Sequence, residues 1–219
     1  MTIKEVRVRL PLDGLFIKVS GLTSEQDALL AVGLGANAVG FEFGPTPRRV
    51  APSTVHDILR RLPPGVISVG VFRHEMPQRI VATANSLGLS AVQIDGPITA
   101  EEVRYVGDRV ATILRGVDDD VEGEDGVDYL VVPETDDAAS LARAGTLLAG
   151  PTRHPVIVSG GLDPDNVADV VRRFPVWGVD VRSGVESSIG VTDPVLLGAF
   201  VTNARWGYEH ALVERLDID

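Results

Sequence analysis

Short runs rich in Val, Ile and Ala recur along the chain, separated by stretches whose apolar residues fall at helical spacing. The runs near 15–20, 38–43, 66–72, 91–94, 110–115, 128–132, 155–158 and 178–181 predict strands covered on both faces, because a strand wetted on one side would alternate apolar with polar. Helical spacing predicts helices over 24–33, 53–62, 76–87, 99–106, 137–148, 164–173 and 193–205. Thr23, three residues ahead of Gln26, has the spacing of a capping box. Asp163-Pro164 and Asp193-Pro194 each set an N-cap aspartate before a proline at the first helical position. After the fifth strand the pattern lapses, and DDDVEGEDGVD reads as a solvated acidic loop.

The segments GANAVGF (35–41) and GLSAVQI (88–94) echo one another 53 residues apart, each placing a helix-ending glycine three residues before an Ala-Val strand start. Two βα units between them give about 26 residues per unit, and eight such units fill about 210 residues, close to the whole chain of 219. The expected fold is therefore α/β, a single-domain (β/α)8 TIM barrel over 15–205, with an N-terminal extension over 1–14 (strand-like over 3–10) and a C-terminal tail over 206–219. An open doubly wound sheet would carry a glycine-rich fingerprint after the first strand, and SGLTSEQ does not match GxGxxG.

A formal charge of -11 leaves no basic surplus to neutralise phosphates along a nucleic acid or an acidic membrane surface, so neither is an expected partner. No apolar run approaches the ~20 residues that span a bilayer, and MTIKEVRVRLPLDG lacks the apolar centre of a signal peptide, so the expected location is the cytoplasm. The chain has no cysteine, which excludes disulfides and any thiol base or nucleophile. His56, His74, His154 and His210 show no paired spacing, and no metal site is expected.

Candidate chemistry collects where strands end. In VIVSGGLDPDNV (156–167), Gly160 and Gly161 let backbone N–H groups approach an anion, with a helix start beyond. In GVDVRSGVESSIG (178–190), Ser183-Gly184 supplies a second small turn. In a barrel these are the loops after strands seven and eight, a frequent phosphate position. Asp180, inside an apolar strand, needs partners and reads either as a hydrogen-bonded structural residue or as a ligand to substrate hydroxyls. Arg48 and Arg49 in GPTPRRV read as a bidentate carboxylate holder or as a solvated pair. Gln93 and Asp95 end the fourth strand, and Lys18 and Ser20 in FIKVSGLT point the same way at the end of the first.

Taken in order, KVSGLT, GFEFGPTPRRV, VGVF, AVQIDG, VSGGLDPDNV and GVDVRSGVESSIGVTDP resemble the phosphoribosylanthranilate isomerase family of tryptophan biosynthesis, from about residue 15 to 200. The resemblance implies a (β/α)8 barrel performing an Amadori rearrangement of a phosphorylated ribose derivative, aminoaldose to aminoketose, without cofactor. It implies that Gly160, Gly161, Ser183 and Gly184 hold the phosphate, that Arg48 faces the anthranilate carboxylate, and that Asp180 lies in the substrate pocket. It also exposes departures. Ser20 stands where the family has a cysteine base, Pro133 in DYLVVPET where it has an aspartate acid, and Asp95 where it commonly has histidine; the glycine-rich flap gives way to a helical stretch from Asp136.

A thiol titrates near ~8.5 and can serve as a base, whereas a lone serine hydroxyl cannot without activation. The candidates left to move protons are Asp95, Glu134 and Asp180, with Ser20 and Lys18 as an assisting pair, Gln93 and Arg48 contacting substrate, and Asp136 within reach from the loop. Loss of an acid or base forfeits ~10²- to 10⁴-fold. Three functions stay open at this point: the family's isomerisation or a neighbouring one with altered acid/base groups, a non-catalytic phospho-ligand binding protein, and a different reaction of specialised metabolism on the same phosphate cradle. The sequence sets no oligomeric state.

Overall fold

A computed structural model describes residues 14–116, 127–132 and 154–216, together with 145 and 148. Eight strands, β1 (Phe16–Val19), β2 (Ala38–Glu42), β3 (Ile67–Arg73), β4 (Ala91–Asp95), β5 (Ile113–Gly116), β6 (Tyr129–Val132), β7 (Val156–Ser159) and β8 (Gly178–Val181), pair in chain order. All pairings are parallel, and β8 returns to β1 with Lys18 opposite Asp180, so the sheet closes into a barrel. Around it lie α1 (Glu25–Gly33), α2 (Pro52–Leu59), α3 (Pro77–Leu87), α4 (Ala100–Gly107), α5 (Val167–Arg173) and α6 (Pro194–Leu216). A 3-10 turn at Ser183–Val185 leads into a hairpin, β9 (Glu186–Ser188) and β10 (Val191–Thr192), that the sequence pattern does not announce.

Two-sided burial explains the unbroken apolar runs. Alternate strand residues, among them Phe16, Val69, Leu114, Val131 and Ile157, fill the barrel interior. Their neighbours, such as Ile17, Val39, Leu130 and Val179, pack outward beneath the helices. The inward face changes character along its length. At the amino end Trp177 stacks on Phe16 and tilts against Tyr129, with ring centroids 4.6 and 4.5 Å apart, and plugs the barrel with aromatic surface. Toward the carboxyl end the inward positions become Lys18, Ser20, Gln93, Asp95, Ser159 and Asp180, all buried. The echoed glycines end their helices with positive φ, 103° at Gly35 and 65° at Gly88, and β2 and β4 follow three residues later.

Several boundaries differ from expectation. Ser24 caps α1, accepting from Asp27 N at 3.1 Å, while the Thr23 hydroxyl donates to the Gly190 carbonyl at 2.8 Å and staples the hairpin to the β1–α1 turn. The capping box belongs instead to Thr99 and Glu102 at α4. Asp193 caps α6 as predicted, accepting from Val195 N and Leu196 N at 2.8 and 3.0 Å. Asp163 makes the same local turn with Asp165 N and Asn166 N, but α5 begins only at Val167. Helix α6 continues past 205 to Leu216. Residues 1–13 of the expected extension, most of the helix predicted over 137–148, and Pro133, Glu134 and Asp136 lie outside the described residues. Among the described residues no helix is long and apolar enough to cross a membrane, and no group of three His, Asp or Glu is placed to hold a metal ion.

Candidate active site

Strand register brings the polar residues together. Because β1 lies between β8 and β2, Lys18 reaches across the interior, donating to Asp180 Oδ2 at 2.8 Å and to Gln93 Oε1 at 2.9 Å, and also to Ser20 Oγ. Ser20 in turn donates to Asp180 Oδ1 at 2.7 Å, and Ser159 donates to Asp180 Oδ2 at 3.2 Å. Lys18 is 0 % exposed and Asp180 3 %, so each ion is supported by its partners rather than by water. The expected Lys18–Ser20 pair exists, but the serine proton is directed at a carboxylate that already holds an ammonium. This arrangement orders the floor of the mouth and leaves Ser20 a poor base.

Gln93 links that floor to Asp95, donating from Nε2 to Oδ1 at 3.0 Å, while Arg73 stands 3.4 Å from Oδ2. Burial raises the pKa of Asp95, and the Gln93 bond and the Arg73 and Lys18 charges only partly offset it. Asp95 is thereby biased toward the protonated form, the state in which a carboxyl group can donate.

The rim is built from two arginine–carboxylate pairs. Arg48 forks onto Glu186, Nε to Oε1 at 2.7 Å with Nη2 on Oε2, and Gly190 N adds a bond to Oε1 at 3.0 Å. Arg182 Nη1 donates to Glu42 Oε1 at 2.7 Å. The guanidinium expected to face a substrate carboxylate thus already holds one, supplied by the hairpin. Ser20, Gln93, Asp95 and Asp180 surround a cleft of about 20 Å³ together with Glu42, Arg73, Ser159 and Arg182. A larger cavity, about 520 Å³, lies outside the mouth between the loops after β3 and β4, where Glu75, Glu101 and Glu102 disfavour an anion.

The two glycine turns meet beside this cleft. Gly160 and Gly161 have φ of 89° and 65°, a conformation that side-chain-bearing residues adopt only at a cost. The Asn166 amide donates to Gly161 O at 2.7 Å and fixes the loop. Gly184 packs directly on it: a Cβ there would stand 2.0 Å from the Leu162 carbonyl oxygen. The turns after β7 and β8 therefore form one surface. Backbone N–H groups in these turns, rather than a long helix dipole, are the candidate donors to an anion, since α5 starts beyond Asn166. Gly184→Ala is expected to push the turns apart and to weaken binding of a sugar phosphate at least about tenfold, or ~1.4 kcal/mol, by calorimetric titration. Unchanged affinity would place the phosphate elsewhere.

Sequence reasoning missed Glu42, Arg73, Ser159, Arg182 and Glu186. Glu42 was accessible to the period-two rule, two residues beyond Gly40 on the inward side of β2; the ion-pair partners were not.

Residues 17–203 match the family described as N-(5'phosphoribosyl)anthranilate (PRA) isomerase. The chain belongs to that family. It is 37% identical over 221 residues to the N-(5'-phosphoribosyl)anthranilate isomerase of Symbiobacterium thermophilum, across 87% of this chain and 98% of the relative. The crystal structure of phosphoribosyl anthranilate isomerase from Thermotoga maritima superposes with a TM-score of 0.78 at 31% identity, covering 88% of this chain and 99% of that one. Another solved phosphoribosyl anthranilate isomerase, in complex with reduced 1-(o-carboxyphenylamino)-1-deoxyribulose 5-phosphate, gives 0.74 at 31% identity, with 88% and 99% covered. Membership in the isomerase family accounts for the barrel and its order of strand-end segments.

Proposed function

We propose that the chain is a phosphoribosylanthranilate isomerase of tryptophan biosynthesis, acting in the cytoplasm on a phosphorylated aminoaldose. The observation that carries this reading is the family match over 17–203, which spans every strand that contributes to the mouth. In the proposed complex the phosphate sits on the N–H groups of Gly160, Gly161, Ser183 and Gly184. The aminosugar extends toward Asp180, Lys18, Ser20 and Gln93, which hold its hydroxyls, and Arg48 exchanges Glu186 for the anthranilate carboxylate. A cleft of about 20 Å³ cannot take the sugar whole, so side chains at the rim shift as it enters.

The rearrangement redistributes hydrogen inside one molecule: C2 loses a proton, C1 gains one, and the C2 hydroxyl becomes a carbonyl. No electron acceptor enters. One group must protonate the ring oxygen to open the sugar, and another must accept the C2 proton. Asp95, pushed toward its protonated form by burial, is the proposed acid.

The test follows consumption of phosphoribosylanthranilate by the purified chain, beside Ser20→Cys combined with Pro133→Asp. Turnover by the unaltered chain is the expected result. Silence, with retained binding of the reduced deoxyribulose 5-phosphate analogue, would instead give a non-catalytic phospho-ligand protein.

A further inference from the structure

We infer that Glu42 is the carboxylate that takes the C2 proton, standing in for the base that Ser20 cannot be; this rests on the isomerase reading above. Most carboxylate oxygens at the mouth are already occupied. Both Asp180 oxygens accept bonds, from Ser20 on one side and from Lys18 and Ser159 on the other. Both Glu186 oxygens accept from Arg48. Ser20 spends its proton on Asp180, and Asp95 is biased toward its neutral, donating form. Glu42 differs from all of these. Its Oε1 accepts from Arg182, but its Oε2 is buried and no well-formed hydrogen bond reaches it, the Thr46 hydroxyl being the nearest donor to the carboxylate. An unsatisfied carboxylate oxygen in a residue only 3 % exposed is costly, and it persists where a bound reactant completes it.

Its position fits the role. Ala38, Gly40 and Glu42 share the inward side of β2, and the absent side chain of Gly40 makes room for Ser20, whose Oγ lies 2.8 Å from where a Cβ would stand. Glu42 is two residues further along, about 7 Å nearer the mouth at ~3.3 Å per residue. It lines the same cleft as Ser20, Asp95 and Asp180. Burial alone would raise its pKa, but the nearby Thr46 hydroxyl and the guanidinium groups of Arg182 and Arg73 outweigh that and hold it below the usual value. Arg48 also faces it, and Asp95 stands across the cleft. At neutral pH Glu42 is therefore an anion ready to accept. In the step, the C2–H bond breaks, the proton goes to Glu42 Oε2, the bonding pair forms C1=C2, and the C1=N π pair moves onto nitrogen. Protonation of C1 and loss of the C2 hydroxyl proton then give the ketone.

Glu42→Gln, which keeps size and an acceptor for Arg182, is expected to lower kcat at least about 100-fold while the dissociation constant of the reduced deoxyribulose 5-phosphate analogue moves less than about threefold. Arg182→Met leaves the carboxylate in place but removes its cation, so the acid limb of kcat/KM should move to higher pH; this reading stands even if the Gln variant does not fold. An active wild type with Glu42→Gln within about threefold of it, or an acid limb unmoved in Arg182→Met, overturns the assignment alone. An inert wild type overturns the isomerase reading and this one together.

Discussion

Lys18→Met should lower the thermal unfolding midpoint more than any other single change at the mouth, on the order of 10 °C, given ~3–5 kcal/mol for breaking a buried ion pair and ~2–4 °C per kcal/mol at this chain size. The reason lies in what remains. Lys18 is fully buried and its ammonium serves Asp180, Gln93 and Ser20 at once. Remove it, and Asp180 keeps its charge with two hydroxyls for company, while Gln93 Oε1 loses its donor. Methionine matches the aliphatic stem, so packing changes little and the electrostatic term dominates. Combining Lys18→Met with Asp180→Asn removes both charges and should recover part of the loss. Thermal melts of the two single variants and the double one measure this as a double-mutant cycle. Strictly additive losses would mean that the two ions do not depend on each other, contrary to the 2.8 Å contact.

The barrel was legible because its physics is local. A strand buried on both faces must be apolar at every position, so the Val/Ile runs marked β1 to β8 with small errors at their ends. The period-two rule likewise put Lys18 beside Ser20, and the structure brings them into contact with Asp180. What stayed hidden is what closure decides. Arg48 meets Glu186 and Arg182 meets Glu42 only because β8 returns beside β1, one strand away from β2, and no signal within either segment names the partner across so many residues. Thr23 has the spacing of a cap, yet the Gly190 carbonyl, brought over by the hairpin, takes its hydroxyl and leaves the cap to Ser24. The last helix, expected to end at 205, runs on through Gly207. That glycine lies inside α6, where a Cβ would stand 2.7 Å from the Ala168 carbonyl oxygen, so the glycine serves close packing against α5.

Asp95→Asn is expected to separate stability from activity. Burial raises the folded-state pKa of Asp95 above its unfolded value of ~3.9, so the folded chain binds that proton more tightly. Such a group favours folding fully below the unfolded pKa and loses that favour as pH rises through the folded one. At neutral pH the wild type therefore carries a cost of keeping this carboxyl group buried that an amide does not share. Asparagine still offers Gln93 Nε2 an acceptor, and the bond lost to Arg73 is long, at 3.4 Å, and 39 % exposed on the arginine side, hence screened. The midpoint of Asp95→Asn relative to wild type should accordingly rise as pH goes from about 4 to 8, most steeply between the unfolded and folded pKa values and levelling off above the folded one. Activity should move the other way, since the amide cannot deliver a proton to the ring oxygen, and kcat should fall ~10²- to 10⁴-fold. Melting both proteins across that pH range, with kcat measured alongside, checks the two halves independently. A difference in midpoint that shrinks with pH would mean that the carboxylate is stabilised rather than strained in the fold. Unimpaired turnover would move the acid role to another group.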